Sequence, residues 1–323
     1  MRTIALEEHF VTSSFLKATG AYGQGTPPAM AELQPRLLNL GDERIAAMDA
    51  AGIDFQVLSL AAIGKDALDP ATGTAVLADT NDELAAAIKA NSARFGGFAA
   101  LEMKEPGKAA RELERCVKSL GFLGALVDGT ADAVFYDDPR FLPIFEAAAA
   151  LGVPVYLHPA PPPEAVRKAY YTGLPDELGY LLSIAGWGWH AETGLHALRL
   201  IVSGLFDRLP DLQVIIGHMG EGLPYAMART SGILSRAAHR KQPVADYFKT
   251  NLHLTTSGYF TQPPLQCAIE VVGLDRIMFS VDYPFSPNTR GREFLDGLKG
   301  VLSAEGMEKL THGNAENLLK IKG

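Results

Sequence analysis

The chain has 323 residues, 47% hydrophobic and 20% charged, which excludes a disordered, collagenous or coiled-coil protein. Its formal charge is −8, from 29 Lys+Arg against 37 Asp+Glu, and no long basic run exists. That balance argues against nucleic acid and anionic membrane as partners. It would also mildly repel an anionic substrate, so an acid would need local cations or a metal to capture it. Two cysteines, Cys116 and Cys267, exclude a disulfide framework and a cysteine-based zinc site. Both lie in helix-like segments and read as buried or half-buried thiols. The start, MRTIALEEHF, turns acidic at Glu7 and does not read as a secretory signal. No apolar run reaches the roughly 18 residues of a membrane span. A reduced, cytoplasmic setting is expected.

In chain order, strands are predicted at 3–10, 55–60, 95–101, 122–129, 153–159, 212–220, 251–258 and 277–285. Helical patterns fall between them, at 42–52, 82–95, 108–121 and 140–152 among others. The last has clear punctuation: Asp138 as cap, Pro139 in the first turn, Gly152 at the exit. Eight strands alternating with helices predict an α/β fold, a single (β/α)8 TIM-type barrel, with 1–323 as one domain. No Gly-x-Gly-x-x-Gly follows a strand and no Walker loop is present, which weakens a nucleotide-binding reading. Two connections are long. One follows strand 1 and carries GAYGQGTPPAM; the other follows strand 5 and carries APPPE and GWGWH, with Trp187 and Trp189. Both should lie at the C-terminal face, as lids or substrate walls, or else as surface excursions or oligomer contacts.

Polar residues fall where such a barrel places chemistry. Strand 1 ends Glu7-Glu8-His9. Alternation points Glu7 and His9 one way and Glu8 the other. If the first two face the interior, a divalent metal would compensate their burial; an ion-paired Glu beside a core His is the alternative. Glu8 would face the helices and need a different partner. Strand 5 ends Tyr156-Leu157-His158-Pro159, and strand 6 ends Gly217-His218-Met219-Gly220-Glu221. Glycines beside His218 allow close approach, and Glu221 lies three residues on, within reach to fix the imidazole tautomer. Strand 8 ends with Asp282. Each residue alone also fits a core role, but the set fits zinc, manganese or iron better than calcium. His190, in the second lid, fits substrate contact or lid packing. His253 fits a core or supporting role, and His196, His239 and His312 read as structural or solvated.

ALEEHF, YLHP, GHMGEGLP and SVDYPF together resemble the amidohydrolase superfamily, and within it the metal-dependent, non-oxidative decarboxylases related to aminocarboxymuconate-semialdehyde decarboxylase. That branch includes the γ-resorcylate, 2,3-dihydroxybenzoate and 5-carboxyvanillate decarboxylases. The resemblance spans strand 1 to strand 8. It implies Glu7, His9, His158 and Asp282 as ligands of one divalent ion, Zn2+ or Mn2+, with no organic cofactor. It implies His218 as a catalytic residue, Glu221 as its orienting partner and Asp282 as proton donor. Arg229, in LPYAMAR, matches an arginine that in relatives can reach a neighbouring subunit's site. The implied reaction is reversible loss of CO2 from an ortho-hydroxybenzoic acid such as γ-resorcylate, another dihydroxybenzoate or salicylate. The small aromatic acid and CO2 are the implied partners, and the implied state is a homodimer or homotetramer. Trp187 and the lids would exclude water and pack the ring. The alternative is a metal-dependent hydrolase of a lactone or amide that activates water. A barrel that only binds is the third class.

Overall fold

The computed structural model describes residues 1–21, 31–238 and 240–322. Eight parallel strands run in order β1 (Ile4–Phe10), β2 (Phe55–Leu60), β3 (Phe95–Ala100), β4 (Gly124–Asp128), β5 (Val155–His158), β6 (Val214–Ile216), β7 (Leu252–Thr255) and β8 (Ile277–Met278), each paired with the next. One helix after each strand forms the outer layer: α1 (Asp42–Ala50), α2 (Pro70–Ala90), α3 (Pro106–Leu120), α4 (Leu142–Leu151), α5 (Gly188–Val202), α6 (Leu223–Ala238), α7 (Gln262–Val272) and α8 (Asn288–Gly297). This is the expected (β/α)8 barrel.

Two apolar cores follow from strands covered on both faces. One fills the barrel interior, with Ile4, Leu6, Phe55, Val57, Phe98, Leu126, Tyr156, Ile215 and Met278, and joins Ala315 and Leu319 of the last helix. The other lies between strands and helices. Gly152 ends α4 in the left-handed region at φ 63°, as predicted, but Asp138 and Pro139 open a short 3-10 turn, Pro139–Phe141, with Asp138 accepting from the Arg140 N–H, and α4 itself starts after it at Leu142. Cys116 is buried and Cys267 half-buried, both free thiols. Among the described residues no helix is long and apolar enough to cross a membrane.

Three local departures from regularity position the site. The first is in β1. Ala5 pairs with Gln56 but Glu8 pairs with Leu58, so β1 carries one extra residue. Without that bulge the interior face beginning Ile4, Leu6 would continue to Glu8. With it, the interior passes to Glu7 and His9. The second concerns β6, predicted over 212–220 and observed over 214–216 only. From His218 to Gly222 every φ is positive: 48°, 56°, 83°, 55° and 74°. The third concerns β8, predicted over 277–285 and observed over 277–278. Asp282 stands beyond the strand at φ 70°. Left-handed backbone costs about 1–2 kcal/mol per non-glycine residue, so such stretches persist where surrounding contacts over-determine them.

The long connection after β5 is largely helical, with helices at Glu164–Tyr170 and Asp176–Ser183 before α5. The one after β1 has helices at Ser13–Thr19 and Gln34–Leu38; most of GAYGQGTPPAM, like His239, lies outside the described residues.

Candidate active site and metal centre

Glu7, His9, His158, His218 and Asp282 converge at the C-terminal mouth of the barrel. Ligand atoms of Glu7, His9 and His158 all lie within 4.8 Å of one another. His158 Nε2 is 3.2 Å from Glu7 Oε1, and His9 Nε2 is 3.3 Å from Asp282 Oδ1. Glu7 and His9 are buried, whereas His158 and Asp282 form the more open side.

The polar partners show what this centre is built to hold. Glu7 Oε2 accepts from the hydroxyls of Tyr156 and Ser257, with Thr255 Oγ1 at 3.4 Å. Glu7 Oε1 and His9 Nε2, both buried, have no hydrogen-bond partner. Unpartnered buried carboxylate oxygen and imidazole nitrogen are costly unless a cation takes them. Two imidazoles and two carboxylates suit one divalent ion of the zinc or manganese type. Behind the centre, Asp128 Oδ1 lies 3.2 Å from His158 Nδ1, and Lys65 Nζ donates to Asp128 Oδ2 at 3.3 Å. Ser59 Oγ sits 3.3 Å from His9 Nδ1. Each ring is thereby oriented with its Nε2 toward the gap, the usual support of a metal-binding imidazole.

Electrostatics follow from burial and pairing. Burial alone would raise the Glu7 carboxyl, but His218, His158 and His9 outweigh it and hold it below the usual carboxylate range. Burial opposes charge on His158, yet Asp128 and Glu7 lift it to about 10 in the metal-free protein. His218 is likewise pushed well above its ordinary value, against burial, first by Glu221 and then by Glu7 and Asp282. Burial is also the main cause of the raised Tyr156 phenol, with Glu7 adding to it, so Tyr156 serves as a neutral donor.

The left-handed turn after β6 brings His218 and Glu221 together, with Nδ1 and Oε1 2.9 Å apart. The other Glu221 oxygen is 2.5 Å from His190 Nδ1. One buried carboxylate therefore orients two imidazoles. His218 Nε2 faces the gap, 3.9 Å from both Glu7 Oε1 and Asp282 Oδ2. Gly217 is needed for this approach: a Cβ there would stand 2.6 Å from Glu7 Oε2 and 3.2 Å from the Tyr156 hydroxyl.

Glu8 finds the different partner expected of it. Its carboxylate accepts from the backbone N–H of Val281 at 2.9 Å and of Tyr283 at 3.2 Å. His190 joins the site through Glu221. Trp187 does not pack over it; its side chain is at the surface, 60% exposed. Arg229 is exposed on α6 and forms no ion pair or hydrogen bond with these residues. Aromatic rings do border the centre, but they are Phe285, 5.5 Å from the His9 ring, and Tyr259, 6.1 Å from the His218 ring. Among the described residues the other histidines pair away from the centre: His196 accepts from the Tyr136 N–H, His253 contacts Gln213 and Arg276, and His312 meets Glu316. Sequence reading missed Asp128, Lys65, Tyr156, Ser257, Tyr259 and Phe285. The one available signal was Asp128, a lone carboxylate at the end of predicted strand 4.

The chain is 41% identical over 330 residues to the γ-resorcylate decarboxylase of a Polaromonas species, covering 98% of each chain. It is 38% identical over 326 residues to decarboxylase orsB of Emericella nidulans, covering 98% of this chain and 97% of that one. Its fold matches a crystal structure of the Polaromonas dihydroxybenzoic acid decarboxylase, with bound manganese and the inhibitor 2-nitroresorcinol, at a TM-score of 0.89 and 40% identity, covering 99% and 97% of the two chains. The family model described as Amidohydrolase matches residues 10–321, and the chain belongs to that family.

Proposed function

We propose that this protein is a metal-dependent carboxy-lyase that converts an ortho-hydroxybenzoic acid, 2,6-dihydroxybenzoate (γ-resorcylate) first among them, to the phenol and CO2. The observation that carries this reading is the pair of buried atoms without a hydrogen bond, Glu7 Oε1 and His9 Nε2, which face His158 at 3.2 Å and Asp282 at 3.3 Å across the barrel mouth. Likeness to γ-resorcylate decarboxylase across nearly the whole chain supports the substrate class.

Glu7, His9, His158 and Asp282 would hold one divalent ion, manganese being the first choice because a relative's structure holds it. When bound, the ion supplies positive charge for the substrate carboxylate and its neighbouring phenolate oxygen. The chain's own residues do the rest. Phe285 and Tyr259 flank the ring. Asp282, protonated, gives its proton to the ring carbon that bears the carboxylate, forming a C–H bond. The bond from that carbon to the carboxylate then breaks. Its electron pair restores the aromatic ring, and CO2 leaves. Asp282 regains its proton from solvent. His218 Nε2, 3.9 Å from Asp282 Oδ2, is one water away from returning it. Dissolved CO2 can drive the sequence backwards.

The whole of 1–323 is proposed to act as one barrel domain, in the cytoplasm, where Cys116 and Cys267 remain thiols. The proposed assembly is a homodimer or homotetramer. Leu178, Tyr180, Trp187, Leu195, Tyr225 and Ile233 are exposed on or just before α5 and on the two helices that contact it, apolar surface that a second subunit would cover. Arg229 lies between Tyr225 and Ile233 on α6, the position from which it would enter a neighbouring subunit's site.

The test is to strip the protein with chelator, reload it with Mn2+ or Zn2+, and follow CO2 and phenol over a panel of hydroxybenzoic acids. About one metal per chain with a matching phenol is expected. Metal binding with no CO2 from any acid, and ring opening of a lactone instead, would overturn the reading in favour of a hydrolase.

A further inference from the structure

The pairing recorded between strands runs from β1 to β8 and does not return to β1. That seam carries one backbone bond, His9 N–H to the Tyr283 carbonyl at 2.6 Å, and side chains join it on either side, with Glu7 N–H donating to Ser280 Oγ at 2.7 Å. Glu8 is fully buried. Its Oε1 accepts from Val281 N at 2.9 Å, with Ser280 Oγ at 3.3 Å. Its Oε2 accepts from Tyr283 N at 3.2 Å and from Gln56 Nε2 at 3.3 Å. Val281 and Tyr283 are the two neighbours of Asp282, so Glu8 grips the backbone on both sides of a residue held at φ 70°. The grip is itself braced. Arg44, buried in α1, donates to Gln56 Oε1 at 3.4 Å and to the His9 carbonyl at 2.6 Å, and its guanidinium lies 4.9 Å from the Tyr283 ring centroid. The strand that supplies Glu7 and His9 thus also fixes, through the residue between them, where Asp282 stands.

We propose that Glu8 is a positioning residue, whose carboxylate staples the backbone around Asp282 and so sets both the metal affinity of the centre and the reach of its proton. This rests on the reading of Asp282 as ligand and proton donor. Four donors face the two Glu8 oxygens, and burial pushes the carboxyl up to about 8 against the bonds from Val281 and Tyr283. Glu8→Gln keeps the volume but turns an NH2 group against a donor.

The test is a double-mutant cycle read by Mn2+ titration of wild type, Glu8→Gln, Asp282→Asn and the double variant. Glu8→Gln should weaken Mn2+ about tenfold in the wild-type background. In the Asp282→Asn background the same change should cost less than about twofold, because the group it acts through has gone. In steady-state assays kcat for 2,6-dihydroxybenzoate should fall while KM stays within about threefold. An equal loss of affinity in both backgrounds, or none in either, overturns the proposal. If Asp282→Asn alone binds Mn2+ like wild type, it is the reading of Asp282 as a ligand that fails. Should Glu8→Gln not fold, Gln56→Met, which removes one donor from the staple, replaces it in the cycle. About a threefold loss confined to the Asp282 background supports the proposal, and an equal loss in both overturns it.

Discussion

The mouth of the barrel is built in two ways. On one side, Glu7, His9 and His158 sit on β1 and β5, within or at the end of a backbone ladder. On the other, His218, Glu221 and Asp282 sit beyond short strands, all at positive φ. The difference separates two tasks. In the proposed reaction, the groups that only hold a cation are the ones fixed by the sheet. The groups proposed to protonate the ring carbon or move a proton stand on left-handed backbone that side chains clamp: Glu221 on His218, and Glu8 around Asp282.

Substitutions can break that comparison. The largest effect is expected from Asp282→Asn, which keeps the shape of the clamped loop and removes the transferable proton. Decarboxylation should fall by about 10³-fold or more with an unchanged circular dichroism spectrum. Near-normal CO2 release would take Asp282 out of the proton transfer. His218→Ala should cost about 10²-fold in rate while leaving metal content near one per chain. Loss of metal in that variant would move His218 to the ladder side, as a ligand.

The sheet-borne ligands make a different prediction, on pH. His158 is held at about 10 in the metal-free protein, so its imidazolium keeps its proton at pH 7 and a metal must displace it. Apparent Mn2+ affinity should therefore rise with pH, about tenfold per unit for one displaced proton, and level off near pH 10. The same shift means that His158 stabilises the metal-free fold fully below pH 6.5, and that this contribution is lost as pH rises through about 10. Metal titration across pH 6–8 checks the sign; a flat affinity would show that His158 is already neutral. The smallest effect is expected from Gly217→Ala. Its Cβ meets Glu7 Oε2 at 2.6 Å, and relief of that contact should cost about 1–3 kcal/mol in urea unfolding. Wild-type stability would mean that Glu7 has room to move.

How much of this was legible in the sequence follows the same division. Strands β1 to β5 and the Gly152 exit of α4 are readable because local pattern specifies them. Glu7 and His9 were assigned to one face by alternation, but that this face is the interior depends on a bulge at Ala5–Glu8 that alternation does not reveal. The segments 212–220 and 277–285 were read as long strands because they are apolar and bounded by turn residues. Their left-handed stretches are imposed by contacts from residues far away in sequence, Glu8 being 273 residues from Val281. Asp128 and Lys65 belong to the site only through neighbouring strand ends, which no single segment displays. Trp187 was expected over the substrate because aromatic rings pack rings; Phe285 and Tyr259 occupy that place instead.

Helix α5 begins between two environments. Trp187, at its start, is open to solvent, while His190, one turn in, is buried against the Glu221 that also orients His218. Three residues separate an exposed indole from an imidazole that shares its carboxylate with His218. Whatever seats against Trp187 acts on the first turn of α5, and the tilt of that turn reaches His218 through a single carboxylate. In the proposed oligomer, separating the subunits by dilution would then lower specific activity while metal content stays unchanged.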